Sequence, residues 1–370
     1  MSPSLTIRSH LFTLADLRAW SNTSASSDLS DNDRQALAIC HEWLSGATEF
    51  VVRTSGSTGD PKPITLRREQ MIASAQATGA ALDLRPGCRA LVCLPTGYIA
   101  GRMMLVRGMV LDMAMTLVEP VSDPFASLSS NARFDFMAVV PLQLQTMLDG
   151  PPGYLDRLNA MQAILVGGGP MNAALEARVQ TLAAPVYHTY GMTETVTHVA
   201  LRRLNGVEAS SAFHPLPGVD VGIDNRGCLR IKGPMTLDLW IQTNDLVEMQ
   251  NDGSFRWLGR WDTIINTGGV KVQVEQVESA LEEVLDALGL NKRRFFVGPL
   301  PDERFHQIVA AFVEGEPLGT NVEAAIQSAL RNRLDRFALP RRFVYLPTLA
   351  ETPTGKIDRQ ANLRQASDTS

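Results

Sequence analysis

The chain has 370 residues, of which 45% are hydrophobic and 20% are charged, with 28 glycines and 21 prolines. This composition predicts a globular protein with a substantial core, and it excludes disordered, collagenous and coiled-coil chains. The formal net charge of −5 argues against a nucleic acid as the primary partner.

The cysteine pattern and the hydropathy of the chain bear on its compartment. No C-x-x-C pair occurs, which predicts buried, reduced thiols at Cys40, Cys88, Cys93 and Cys228. No apolar run approaches the roughly 18 residues that cross a bilayer, and charged residues interrupt the N-terminal stretch. We therefore expect a soluble cytoplasmic protein that has no membrane partner.

Short apolar runs alternate with helical patterns in the first half of the chain. An amphipathic helix through Leu37 and Leu44 is followed by strand-like runs at 50–52, 90–94, 115–118, 137–140 and 163–166. This alternation predicts an α/β sheet with helices packed over it.

The pattern changes twice towards the C-terminus. Beyond Leu201, glycines separate short segments such as 228–232 and 254–258, which predicts a β-rich subdomain. After Gly259, helices at about 274–288 and 321–334 are separated by strands at 294–297 and 308–313. These elements predict a small α+β domain at residues 260–370, after a large domain at residues 1–259.

A loop rich in glycine and hydroxyl groups follows the strand at 50–52. It reads Thr54-Ser55-Gly56-Ser57-Thr58-Gly59-Asp60-Pro61-Lys62. Two glycines, four hydroxyls and a lysine suit a polyphosphate, although the loop lacks the Walker A spacing. The alternative is a plain surface turn, since turns have this composition for conformational reasons.

A second motif reads Tyr190-Gly191-Met192-Thr193-Glu194-Thr195. Tyr190 offers a flat face for a base, Thr193 a hydroxyl for a phosphate, and Glu194 an oxygen ligand for Mg²⁺. The alternative is a strand end with a capping threonine.

Two further motifs lie in the last third of the chain. The first, at 259–271, contains Arg260, Asp262 and the pair Gly268-Gly269, and its alternative interpretation is a β-hairpin with a Gly-Gly turn. The second, at 352–359, uses a proline and a glycine to present Lys356, which is otherwise a solvated lysine.

In this order, the four motifs resemble those of the adenylate-forming superfamily of acyl-CoA synthetases, luciferases and peptide-synthetase adenylation domains, from about Phe50 to Arg359. The resemblance implies an AMP-binding domain at 1–259, shortened at its N-terminus, and a mobile domain at 260–370. It also implies ATP and Mg²⁺ as cofactors, a small carboxylic acid as substrate, and CoA or the phosphopantetheine of an acyl carrier protein as acceptor.

The resemblance assigns roles to individual residues. Thr54–Gly59 and Lys62 would cradle the β- and γ-phosphates, Thr193 the α-phosphate, and Glu194 the Mg²⁺ ion. The adenosine would contact two further motifs, the glycine segment Gly167-Gly168-Gly169-Pro170, through Gly168, Gly169 and Pro170, and the segment Thr243-Asn244-Asp245-Leu246, through Asp245. It would also contact Tyr190, Gly191 and Arg260. The alternative for the triple glycine is a strand-to-helix turn.

Three further roles concern the two half-reactions. Lys356 would bridge the carboxylate and the α-phosphate during adenylation. Asp262 would be the hinge, and Gly268 and Gly269 would meet the acyl adenylate when the thiol attacks. The sequence departs from the superfamily pattern at two positions. Asn244 stands in place of the usual glycine before Asp245, and Asn266 stands where many members have lysine.

The acid is less clearly indicated. The segment at 95–104 places Tyr98 where the superfamily gates its acyl pocket, and the chain looks most like compact bacterial o-succinylbenzoate:CoA ligases of menaquinone biosynthesis. The second carboxylate of that acid needs a cation or several donors, for which Arg102, His188 and His198 are candidates. The alternatives are a ligase for another aryl or acyl acid and a degenerate nucleotide-binding protein.

Overall fold

The structure is a computed structural model that describes residues 2–21, 28–53, 63–169, 171–290, 292–352 and 357–368. The helices are α1 Leu14–Ala19, α2 Asp31–Leu44, α3 Arg68–Ala81, α4 Ile99–Val110, α5 Pro141–Leu148, α6 Pro152–Asn159, α7 Ala173–Val179, α8 Val274–Ala287, α9 Thr320–Leu330 and α10 Arg359–Asp368. Within these ranges, no helix combines the length and the apolar character that a membrane crossing requires.

The strands include the predicted runs and others that the sequence pattern did not predict. They are β1 Ser4–Ile7, β2 His10–Phe12, β3 Glu49–Arg53, β4 Pro63–Arg67, β5 Arg89–Val92, β6 Ala114–Leu117, β7 Phe136–Val139, β8 Ala163–Val166, β9 Val186–Gly191, β10 His198–Arg203, β11 His214–Pro215, β12 Asp220–Ile223, β13 Cys228–Lys232, β14 Ile241–Met249, β15 Phe255–Arg260, β16 Ile265–Thr267, β17 Val270–Val272, β18 Phe295–Asp302, β19 His306–Glu314 and β20 Arg342–Leu346.

A large mixed sheet organises the first half of the chain, in the order β11-β10-β9-β8-β7-β5-β6-β1-β2. Neighbouring strands from β1 to β9 in this sheet pair in parallel, whereas β2, β10 and β11 join antiparallel. Side chains alternate between its two faces. On β5, Ala90 belongs to the core on one face and Leu91 to the core on the other. The predicted α/β class is confirmed.

Two smaller units follow the large sheet. Strands β12 to β15 form an antiparallel sheet, as the glycine-separated pattern predicts. In the C-terminal segment, α8 and α9 pack on one face of the β18-β19-β20 sheet and α10 on the other. The α9 helix ends at Leu330 rather than Leu334, because the amides of Arg333 and Leu334 both bond the Leu330 carbonyl and tighten the chain into a turn.

The four cysteines are all buried and unpaired. Burial raises the pKa of the Cys40 and Cys93 thiols to about 12, so both are protonated at neutral pH. They act as small apolar core residues, which agrees with the prediction of buried thiols.

Candidate active site

The carboxyl ends of β8 and β9 bring two predicted motifs together. These strands are parallel neighbours, so the residues that follow them lie at the same edge of the sheet. After β8 comes the glycine segment with Gly168, whose φ is +81°. After β9 comes a single 3₁₀ turn, Thr193–Thr195, in which Glu194 is exposed and Thr195 is buried.

Close packing explains the glycines at this edge. A Cβ atom at Gly167 would lie 2.3 Å from the Thr189 hydroxyl oxygen. A Cβ at Gly191 would lie 2.2 Å from the Thr197 carbonyl oxygen. A side chain at Gly191 would push β9 away from β10, and one at Gly167 would displace the Thr189 hydroxyl.

Tyr190 and Asp245, predicted to contact the adenosine, lie in direct contact. The Tyr190 hydroxyl donates to Asp245 Oδ2 at 2.6 Å, and the Trp257 indole Nε1 donates to Oδ1 at 3.2 Å. The backbone amide of Asp245 bonds the Thr243 hydroxyl at 3.0 Å, and the residue is only 7% exposed. Two side-chain donors therefore fix the orientation of this carboxylate, and sequence reasoning missed Trp257.

Aromatic side chains support the Tyr190 ring. Its centroid lies 5.2 Å from Phe255 in an edge-on arrangement and 5.7 Å from Phe213. Burial and the neighbouring Asp245 carboxylate raise the pKa of Tyr190 well above its ordinary value. The tyrosine therefore stays a hydrogen-bond donor to Asp245 at neutral pH.

Arg260 is paired in register with Asp245 across β14 and β15. Its guanidinium binds Asp262, however, at 2.8 Å from Nε and 2.6 Å from Nη2. This ion pair lowers the pKa of the Asp262 carboxyl. Asp262, the predicted hinge residue, and Arg260, the predicted nucleotide-binding arginine, thus form an ion pair with each other.

His188 lies beside the glycine segment. Its Nε2 is 3.2 Å from the Gly169 carbonyl oxygen, and its Nδ1 is 3.4 Å from Arg202. Burial, and then the charge of Arg202, lowers the pKa of His188 to about 4. The imidazole is therefore neutral at pH 7 and supplies no cation for a second carboxylate.

His198 lies in a buried polar cluster between α3, α4 and β10. Its Nε2 is 3.0 Å from the Thr78 hydroxyl, and its Nδ1 is 3.5 Å from Arg107. Burial and Arg107 lower the pKa of His198 well below its ordinary value, so it also supplies no cation. Contact of His188 or His198 with the acid remains a prediction.

Arg107 is the charged member of this cluster, and sequence reasoning missed it. It is 2% exposed, and its Nη2 donates to the Thr197 hydroxyl at 2.7 Å. Its other neighbours are Thr78, His198 and the Met104 sulfur, and among the described residues it has no carboxylate partner. Burial lowers its pKa to about 10, so it remains charged at pH 7. The signal in the sequence was an arginine inside the apolar run Met103–Met109.

Tyr98 and Arg102 lie at the start of α4. Arg102 Nη1 approaches the Val51 carbonyl oxygen at 3.4 Å, and its buried Nε has no hydrogen-bond partner among the residues that the structure describes. Tyr98, 40% exposed, is the residue before the helix begins. Arg102 and Arg107 are five positions apart on the helix, about 7.5 Å along its axis, so the two arginines contact different parts of the protein.

Gly268 and Gly269 form the turn of the β16–β17 hairpin, with φ values of +59° and +84°. The Gly268 amide bonds the Phe305 carbonyl oxygen at 3.1 Å. Beside this turn is a cavity of about 560 Å³, lined by Asn266, Gly269, Phe305, His306 and Gln307.

Several predicted residues lie outside the described parts of the chain. They are Thr54, Ser55, Gly56, Ser57, Thr58, Gly59, Lys62, Pro170 and Lys356. Their assigned roles remain predictions.

Comparison with known proteins addresses the family. Residues 15–235 match the model of the AMP-binding enzyme family. The chain belongs to this family. It is an adenylate-forming ligase of the AMP-forming acid:CoA type.

The relatives extend this result. The chain is 43% identical to the AMP-forming acyl-CoA synthetase/AMP-acid ligase II-like protein of Dyadobacter fermentans, over 93% of this chain and 97% of that protein, with a TM-score of 0.62. It is 24% identical to the 2-succinylbenzoate–CoA ligase of Listeria monocytogenes, over 90% of this chain and 73% of that ligase.

A third relative confirms the fold at lower identity. The o-succinylbenzoate CoA synthetase of Bacillus subtilis, solved with its acyl-adenylate intermediate, is 18% identical to this adenylate-forming chain. The match covers 97% of this chain and 95% of that protein, with a TM-score of 0.78.

The described residues fit a nucleotide and a divalent cation. Asp245 is a buried acceptor with a fixed orientation, as a ribose diol requires. No cluster of three metal-ligating side chains occurs in the described ranges. Mg²⁺ in nucleotide enzymes usually takes one or two carboxylates together with phosphate oxygens, which a single exposed Glu194 can supply.

Proposed function

We propose that this chain is an o-succinylbenzoate:CoA ligase of menaquinone biosynthesis. A carboxylate oxygen of the acid attacks the α-phosphorus of ATP, the bond between the α- and β-phosphates breaks, and pyrophosphate leaves. The thiol sulfur of CoA then attacks the acyl carbon and gives up its proton, and AMP leaves with the bonding electrons. Mg²⁺ neutralises phosphate charge in the first half-reaction.

Arg107 is the observation that carries the substrate assignment. The acid retains a second carboxylate, which must lose water when it enters a pocket and then needs a charged partner. Arg107 is a buried cation with neutral hydrogen-bond partners and no acid in the described chain. An isolated buried charge is costly, and a substrate carboxylate would offset that cost. The relatives named 2-succinylbenzoate–CoA ligase, at 24% and 26% identity, support the ligase family to which this assignment belongs.

The remaining assignments complete the proposal. Tyr190, Asp245 and Arg260 bind the adenosine, Thr193 and Glu194 serve the α-phosphate and Mg²⁺, and the loop at 54–62 serves the other phosphates. Lys356 acts in adenylation. The domain at 260–370 then turns about Asp262 relative to residues 1–259 and brings Gly268 and Gly269 to the adenylate. We place the reaction in the cytoplasm.

The test is mass-spectrometric detection of acyl-CoA. The protein is incubated with ATP, Mg²⁺, CoA and a panel of acids headed by o-succinylbenzoate, with Lys356→Ala as the blank. We expect o-succinylbenzoyl-CoA to form faster than any other thioester and to depend on Lys356. A carrier protein with a phosphopantetheine arm replaces CoA in a parallel assay and identifies the acceptor.

Other outcomes would contradict this proposal in distinct ways. Faster turnover of a different aryl or acyl acid would keep the mechanism and reject the substrate. No adenylate from any acid, in a protein that still binds ATP, would indicate a degenerate nucleotide-binding protein.

A further inference from the structure

The chain on either side of the Lys356 segment is joined by backbone pairing. Glu351 and Ile357 form an antiparallel bridge, and the Asp358 amide donates to the Ala350 carbonyl oxygen at 2.8 Å. The residues that enter and leave this segment therefore lie side by side.

The buried side chain of Asn362 joins the same two backbone segments a second time. Asn362, in the first turn of α10, is 0% exposed. Its Nδ2 donates to the carbonyl oxygens of Ala350, at 3.0 Å, and Asp358, at 2.7 Å. Its Oδ1 accepts from the Ala350 amide at 2.9 Å. Only a side-chain amide offers donors and an acceptor in this arrangement.

A second contact anchors this unit to the rest of the C-terminal segment. Arg359 Nη2 binds Glu278 Oε2 on α8 at 2.7 Å, and its Nη1 donates to the Val297 carbonyl oxygen at 3.2 Å. The other carboxylate oxygen of Glu278 accepts from the Val297 amide at 2.7 Å. The chain that leaves the Lys356 segment is thereby fixed to both α8 and β18.

We propose that Asn362 is a positioning residue for Lys356: its amide clamps Ala350 to Asp358 and so fixes the base from which Lys356 reaches the reacting groups, while Arg359 and Glu278 anchor that base. The inference rests on the proposed function, since it gives Lys356 its adenylation role. Misplacing a catalytic group by about 1 Å costs on the order of 100-fold in rate. A clamp at the base of a short segment controls such a displacement.

Asn362→Asp is the sharpest variant, because aspartate is isosteric and still accepts from the Ala350 amide. It replaces the two donations with a carboxylate oxygen that faces two carbonyl oxygens. We expect kcat for acyl-adenylate formation, measured as pyrophosphate release without thiol, to fall roughly 30-fold. The KM for ATP and the rate of thioester formation from preformed acyl adenylate should change by no more than about twofold, since Lys356 serves only the first half-reaction.

The chain offers a matched control in Asn205. This asparagine is also 0% exposed, accepts from the Val186 amide at 3.0 Å, and donates to the carbonyl oxygens of Leu182 and Ala184 at 2.7 and 2.9 Å. Asn205→Asp should lower the melting temperature without changing the ratio of the two half-reaction rates. The comparison separates lost stability from lost positioning.

Arg359→Gln supplies a second test if Asn362→Asp does not fold, because Arg359 is partly exposed. It should lower the adenylation rate selectively, by about threefold to tenfold, and Arg359→Lys should restore part of that loss. Arg364→Gln, at an exposed arginine of the same helix, is its control.

The outcomes distinguish the two proposals. If Lys356→Ala loses adenylation selectively but both half-reactions fall in parallel in the folded Asn362 and Arg359 variants, the positioning role is wrong and the proposed function stands. If Lys356→Ala leaves adenylation unchanged, the role of Lys356 is wrong, and the positioning role is wrong with it.

Discussion

Asp245 and Arg107 are both buried, ionisable and close to the β9–β10 pair, yet their surroundings differ in kind. Asp245 accepts from Tyr190 and Trp257, so its charge is hydrogen-bonded before any ligand arrives. Arg107 is buried among hydroxyls, a neutral imidazole and a sulfur, without an anion in the described chain. On the proposed assignment, the nucleotide side is thus preorganised, whereas the acid side holds a charge that has no counter-ion in the described chain.

The largest effect should come from Asp245→Ala. Hydrogen bonds to a charged group contribute about 1.5–3 kcal/mol each, so losing two ribose contacts should lower kcat/KM for ATP by about 100-fold or more. Because every acid uses the same nucleotide, the loss should be equal for o-succinylbenzoate and benzoate. Steady-state kinetics with both acids measures it, and a loss confined to one acid would move Asp245 to the acid side.

Arg107→Leu should impair use of the acid rather than use of the nucleotide. Removing the charged partner of the second carboxylate should lower kcat/KM for o-succinylbenzoate by about 10- to 100-fold and leave benzoate almost unchanged. Arg102→Leu, on the same helix, is the comparison variant. If Arg102→Leu has the larger selective effect, the second carboxylate lies beside β3 instead.

Acid should destabilise the protein through the partly buried His188 and the buried His198. The pKa of His188 falls from 6.5 to about 4 on folding, and that of His198 also falls well below 6.5. Below pH 6.5 the unfolded chain therefore binds more protons than the folded chain. The contribution of the two neutral histidines to the free energy of unfolding is fully present above pH 6.5. It decreases as the pH falls towards 4, by at most about 1.4 kcal/mol for each pH unit and each histidine.

Urea denaturation at pH 7.5 and pH 5 tests this expectation. His188→Gln should narrow the difference between the two midpoints, whereas His214→Gln, at an exposed position, should not. Equal narrowing in both variants would mean that the loss arises elsewhere.

The smallest effect should come from Trp257→Phe. The variant removes one of the two donors to Asp245 and leaves Tyr190 in place, so the KM for ATP should rise by about threefold. Trp240→Phe, at an exposed tryptophan stacked on Arg230, is the matched control. No change in KM would mean that Tyr190 alone orients the carboxylate.

Much of the fold was predictable because it depends on local pattern. The apolar runs of β5 to β8 and the helical spacing of α8 identify those elements directly. The N-terminal strand β1 was not predicted: besides a short hairpin with β2, its four residues pair with β6, which lies more than 100 positions away. Pairing of that kind leaves no local signal.

The candidate site also combines residues that local sequence motifs predict with residues that they do not. Tyr190, Asp245 and Arg260 belong to motifs. In the structure Tyr190 bonds the Asp245 carboxylate, and Arg260 is its backbone partner across β14 and β15. Trp257 and Arg107 belong to none of the motifs, and their contacts arise from strand register and helix packing. The sequence does show Arg107 as an arginine in an apolar run, but this pattern does not indicate whether a carboxylate pairs with it.

Val196 separates the two sides of the site in the chain. This buried, β-branched residue has a φ of +67°, which such side chains adopt only under strain of about 1–3 kcal/mol. It lies between the turn with Thr193 and Glu194 and the pair Thr197-His198, which contacts Arg107. On the proposed function, Thr193 and Glu194 serve the phosphates and Arg107 serves the acid, so the fixed backbone at Val196 sets the distance between these two groups. The enzyme should then select acids by the distance between their two carboxylates as well as by their charge.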